Sequence, residues 1–103
     1  MNTATLKQAA LDLREKLEFY KSKDRAALRL YEQMKPLIID AENEMIHEKM
    51  EPRDIPGYKL LADTDLQQYD DLSKAYSKFY VELTDGRNTK TYQIIQEMMK
   101  KTL

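Results

Sequence analysis

The chain has 103 residues, 42% of them hydrophobic and 34% charged, with a net charge of −1 and no cysteine. That leaves room for one modest core and excludes a disordered polyelectrolyte, a disulfide scaffold and thiolate chemistry. A near-neutral balance gives no global basic field to attract nucleic acid, and two glycines with three prolines are too few turns for an all-β fold.

Met1-Asn2-Thr3-Ala4-Thr5 lacks a basic segment followed by an apolar run, so no signal peptide is predicted. No apolar run is long enough to span a bilayer, and a cytoplasmic location is expected. The first helix is predicted to start at Thr3 or Thr5. Thr5 with Gln8 three residues on forms a capping box. From there an apolar heptad runs in unbroken phase to Met45. One set is Leu6, Leu13, Tyr20, Ala27, Met34 and Ala41; the other is Ala10, Leu17, Asp24, Tyr31, Ile38 and Met45. This spacing lays one stripe along a helix, facing a partner helix.

Asp24 is the one charge in the stripe, and aspartate caps helices well. A second helix could therefore begin at Ser22-Lys23-Asp24. No glycine or proline forces a break there and the phase does not reset, so one helix from Thr5 to Lys35 is expected. Pro36 predicts a kink or short break near Lys35, followed by a helix from Pro36 to about Met50. Residues 51–62 form the one clear connection. Pro56-Gly57 suits the central positions of a type II turn. Ile55, Tyr58, Leu60 and Leu61 are apolar for a solvated loop, and either close one end of the core or form a binding loop.

The next helix is predicted to start after Asp63 or Thr64, where Thr64 and Gln67 make a second capping box. Its stripe is Tyr69, Leu72, Tyr76, Phe79 and Leu83, widened by Leu66 and Tyr80. Asp85-Gly86 ends it. A last helix is expected from about Thr89 to Lys101, with Tyr92, Ile95 and Met99 on one face. The chain thus reads as all-α: a three- or four-helix antiparallel bundle with coiled-coil-like packing, one helical domain over residues 1–103, with dimerisation through the long first helix as an alternative use of the heptad.

Sites are sparse. Glu44 and His47 have the Glu-x-x-His spacing of bundle di-iron and di-manganese centres. His47 is the only histidine, however, and it falls about 160° from the apolar face. Neither a metal nor another cofactor is expected. Glu42 falls inside the apolar face, with Lys49 seven residues on, and a carboxylate buried there needs a partner. The acids Asp63, Asp65, Asp70 and Asp71 cover the start of the third helix. Residues 63–85 carry six acids against two lysines, net −4, while residues 86–103 carry four bases against one acid, net +3. Arg87, Lys90, Lys100 and Lys101 are too few to argue for nucleic-acid binding. Asp63-Thr-Asp65 lacks the glycine and terminal glutamate of an EF-hand loop. There is no nucleophile arrangement and no glycine-rich phosphate loop, so catalysis and a small-molecule substrate are not expected.

Seven tyrosines and no tryptophan favour half-buried, interfacial positions. The leading expectation is a small non-enzymatic protein that binds another protein, as an inhibitor, an immunity or anti-defence factor, or an adaptor. Tyr58, Asp70, Asp71, Tyr76 and Tyr80 are the expected contacts. The alternatives are a structural homo-oligomer built on the heptad and a ferritin-like half-bundle holding metal through Glu44 and His47.

Overall fold

A computed structural model describes residues 2–84 of the chain. All regular elements among them are helical. They are α1 (Thr3–Tyr20), α2 (Arg25–Glu42), the short α3 (Tyr58–Asp63) and α4 (Asp70–Thr84), with single 3-10 turns at Pro52–Asp54 and Asp65–Gln68. The expected ending at Asp85-Gly86 and the last helix lie outside the described residues. The fold is a helical bundle in which α1 packs on both α2 and α4.

The expected long first helix is instead two helices. α1 is capped by Asn2, whose Oδ1 accepts from the Ala4 and Thr5 amides, so Thr5 is not the cap. At its end the amides of Lys23 and Asp24 both donate to the Tyr20 carbonyl. Asp24 then adopts an extended conformation (φ −144°, ψ 122°), and its Oδ1 accepts from the Ala26 amide to cap α2. The residue that interrupts the apolar stripe is therefore the residue that starts the second helix. Because the connection is only four residues, Lys21–Asp24, the heptad phase survives the reversal. Leu6, Ala10, Leu13, Leu17, Ala27, Leu30, Tyr31, Met34, Ile38 and Ala41 are all buried. The stripe expected to face a partner helix meets one within the same chain, as an antiparallel hairpin.

Pro36 does not break α2, which runs through it to Glu42. A mid-helix proline leaves the carbonyl four residues earlier without its partner. Here that is Glu32, which is exposed and open to water, as is Pro36 itself. The apolar face continues on both sides, and burying Met34 and Ile38, each worth about 1.5–3 kcal/mol, outweighs a proline cost of about 3 kcal/mol.

α2 stops short of the expected Met50 because the chain turns left-handed at Glu44 (φ 54°). The Glu44 amide donates to Ala41 and the Met45 amide to Asp40, the paired bonds of a Schellman motif. Met45, the last heptad position, is consequently exposed. Glycine normally fills this site, so Glu44→Gly should raise stability by about 1 kcal/mol, seen as a melting temperature a few degrees higher. An unchanged or lower melting temperature would show that the contact of the Glu44 carboxylate with the Thr3 hydroxyl (3.2 Å) matters more than the backbone strain.

The connection to α4 is more structured than expected. Gly57 takes φ 93° and ψ −20°, as a type II turn requires, and leads into α3. Ile55 and Leu61 are buried and close the core, whereas Tyr58 projects outward. Thr64 does cap, but only the 3-10 turn, by accepting from the Leu66 amide at 3.4 Å. The next long helix starts at Asp70 rather than at Asp65, and Leu72, Tyr76, Phe79 and Leu83 form its buried stripe. Asp70 and Asp71 thus stand in the first turn of α4, where negative charge suits the helix dipole.

Candidate protein-binding surface

The five expected contact residues separate into two groups. Tyr58, Tyr76 and Tyr80 come together where α3 meets α4. The Tyr58 and Tyr80 ring centroids are 6.1 Å apart, and those of Tyr76 and Tyr80 are 6.3 Å apart. Their exposure is graded. Tyr58 is 48% exposed, Tyr80 7% and Tyr76 2%. Tyr76 is a core residue: its hydroxyl donates to the Pro56 carbonyl at 3.0 Å and holds the turn that carries Tyr58. Spacing along α4 gave the shared face of Tyr76 and Tyr80 correctly, but α1 and the 55–57 turn cover most of it.

Asp70 and Asp71 lie at the other end of α4, about 15 Å from Tyr80 along the helix axis. Asp70 pairs with Lys74 at 2.9 Å. Asp71 accepts from the Tyr20 hydroxyl at 2.8 Å and sits 4.0 Å from the Lys16 ammonium. Tyr69 does not share the face of Tyr76. It precedes α4, stacks on Tyr20 with centroids 4.2 Å apart, and donates its hydroxyl to Asp24 Oδ2 at 3.0 Å. Two crossed tyrosine–aspartate bonds therefore clasp the α1–α2 turn to the start of α4. Beside this clasp lies Phe19, which the heptad reading passed over. It is 54% exposed, edge-on to Tyr20, and its ring lies 3.9 Å from the Lys23 ammonium. An aromatic residue standing off the apolar stripe was the available signal.

Four of the tyrosine hydroxyls are pushed above the ordinary phenol range. Burial, and then the neighbouring Tyr80 and Tyr58, push the Tyr76 phenol well up. Burial and Tyr58 raise Tyr80. The hydrogen bond to Asp71 raises Tyr20, and that to Asp24 raises Tyr69. Every one of these shifts moves away from neutrality, so none of the four is tuned as a general base.

The other candidates change character. Glu42 is half-buried, as the apolar face implied, but its partner is Arg14 of α1 at 3.1 Å and not Lys49, which is exposed. Arg14 Nε and Glu42 Oε2 are both buried without a hydrogen bond, so the pair is only partly satisfied. A second tie between the same helices runs from the Tyr31 hydroxyl to Glu18 at 3.2 Å. Glu44 and His47 both lie past the end of α2 and both are exposed, so the helical i, i+3 geometry their spacing suggested does not exist. Among the described residues no group of three or more histidine, aspartate or glutamate side chains is placed to hold a metal ion. Among them, too, no helix is long and apolar enough to cross a membrane.

Comparison of the chain with protein-family models, with curated proteins and with solved structures finds no match.

Proposed function

We propose that this protein acts by binding another protein, as an inhibitor, an immunity or anti-defence factor, or an adaptor, and that Tyr58 is the centre of the contact. One observation carries this reading: Tyr58 is a large, half-exposed aromatic side chain on a rigid support. Gly57 and the Tyr76–Pro56 hydrogen bond fix the backbone before it, and the Tyr80 ring backs it. Pre-organised tyrosines of this kind dominate protein interfaces, because they offer area and a hydrogen-bonding tip at small entropic cost. Asp70 and Asp71 are set aside from the contact, since both are engaged within the chain and distant from Tyr58.

The test is a tagged pull-down from lysate of the source cells with wild type, Tyr58→Ala and the double variant Asp70→Ala/Asp71→Ala. Tyr58→Ala should leave stability within about 0.5 kcal/mol and weaken capture of a stoichiometric partner by about 30-fold or more. The double variant should still capture it. Equal capture by wild type and Tyr58→Ala would move the contact elsewhere, with the aspartate pair and the Phe19 corner next in line.

A further inference from the structure

The α1–α2 hairpin has an unusual property: its two halves remain in one heptad register across the turn. Leu6, Leu13, Ala27, Met34 and Ala41 are seven apart or a multiple of seven, and all are buried. Nothing in Lys21-Ser22-Lys23-Asp24 forbids helix, since the segment holds neither glycine nor proline. Lys21 is still helical (φ −59°, ψ −29°), and the departure is marked by Asp24 in its extended conformation. Returning this short segment to helix would make one rod from Thr3 to Glu42, about 60 Å long.

We infer that α1 is an exchangeable element and that a second copy of this chain is its alternative partner. In the straightened form α1 of one copy lies between α2 and α4 of the other, antiparallel to α2 as in the hairpin. A two-fold axis at the turn makes the exchange reciprocal. Every tie α1 now makes is then remade across copies: Arg14 to Glu42, Tyr31 to Glu18, Thr3 to Glu44, and Tyr20 and Lys16 to Asp71. The apolar interface is likewise reproduced. The balance between the two forms is therefore set at the turn itself. Asp24 favours the closed form twice, through its cap on the Ala26 amide and as acceptor for the Tyr69 hydroxyl. Pairing through an exchanged helix differs from a coiled coil of two intact bundles, because it uses no new surface, and it is independent of Tyr58.

The experiment uses the full chain, which has no natural cysteine to interfere. Two single variants, Thr3→Cys and Glu44→Cys, are mixed, unfolded, refolded together at high concentration and oxidised. The pair sits on α1 and just past α2, in hydrogen-bond contact. Exchange gives a covalent heterodimer linking the two chains, and light scattering of uncrosslinked protein shows the same dimer. Introducing Asp24→Ala should raise the dimer fraction at low occupancy about 30-fold, the ratio expected when each of the two chains loses one helix cap. The double variant Ser22→Gly/Lys23→Gly keeps the amide bonds of the closed turn and disfavours helix there, and should lower it. The inference is overturned if the double variant Thr3→Cys/Glu44→Cys closes within one chain while the mixed single variants never crosslink on either hinge background.

Discussion

Gly57→Ala is expected to lower stability by about 2–6 kcal/mol and the melting temperature by about 10 °C or more. Two independent costs combine. The backbone at Gly57 stands at φ 93°, a region that a residue with a Cβ enters only at a cost of about 1–3 kcal/mol. The added methyl would also meet Leu30 Cδ1 at 2.5 Å, Met34 Sδ at 3.2 Å and Tyr76 Cε2 at 3.4 Å. Leu30 is fully buried and cannot swing into open space, so the clash becomes overpacking worth about 1–3 kcal/mol more. The two parts can be separated by chemical denaturation of Gly57→Ala in a Leu30→Ala background. The Leu30 part of the clash, the largest, should vanish there and the backbone cost remain. A Gly57→Ala penalty that is the same in both backgrounds would assign the whole effect to φ.

Leu13→Ala is expected to cost about 2–5 kcal/mol, a large share of the stability of a domain this size. Leu13 has no exposed surface and sits midway along α1, the helix that both α2 and α4 pack against. Ala9 and Ala10, one turn before it on α1, are already small, so on that side no bulky side chain can relax into the gap. The control lies two residues away. Leu11 is 40% exposed, and Leu11→Ala should change stability by no more than about 0.5 kcal/mol. Denaturant midpoints for the two variants would decide the matter; similar losses at both positions would mean that α1 is not packed on α2 and α4 as described.

Most of the heptad stripe was legible, Met45 being the exposed exception, but its use was not. Periodicity reports which face of a helix is buried and is silent on whether the covering helix belongs to the same chain. Asp24 was the clue: its charge in the stripe and its capping chemistry have one cause, the start of a helix. The end of α2 was hidden because Glu44 occupies a left-handed position where glycine is the usual marker. The start of α4 was read five residues early because Thr64 and Gln67 resemble a capping box, and only tertiary packing turns Asp65–Gln68 into a separate turn. Of the candidate surface, the gathering of Tyr58, Tyr76 and Tyr80 could be expected in part from spacing along α4. Their graded exposure could not, since it depends on where the Pro56-Gly57 turn wedges between α2 and α4. Phe19 was missed for the opposite reason, because attention to the stripe discards what lies off it.

The central place of α1 also has a bearing on how the chain matures during synthesis. The hairpin joins residues close in sequence and can close as soon as α2 has been made, at small loop-closure cost. The α4 side of α1 must wait: the Tyr20–Asp71 bond spans 51 residues. Until α4 emerges with Leu72, Phe79 and Leu83, the side of α1 that it covers stands open to solvent. The nascent hairpin is thus a vectorial intermediate with one wall finished and one exposed, and the two tyrosine–aspartate bonds that clasp α4 to the turn are among the last to form.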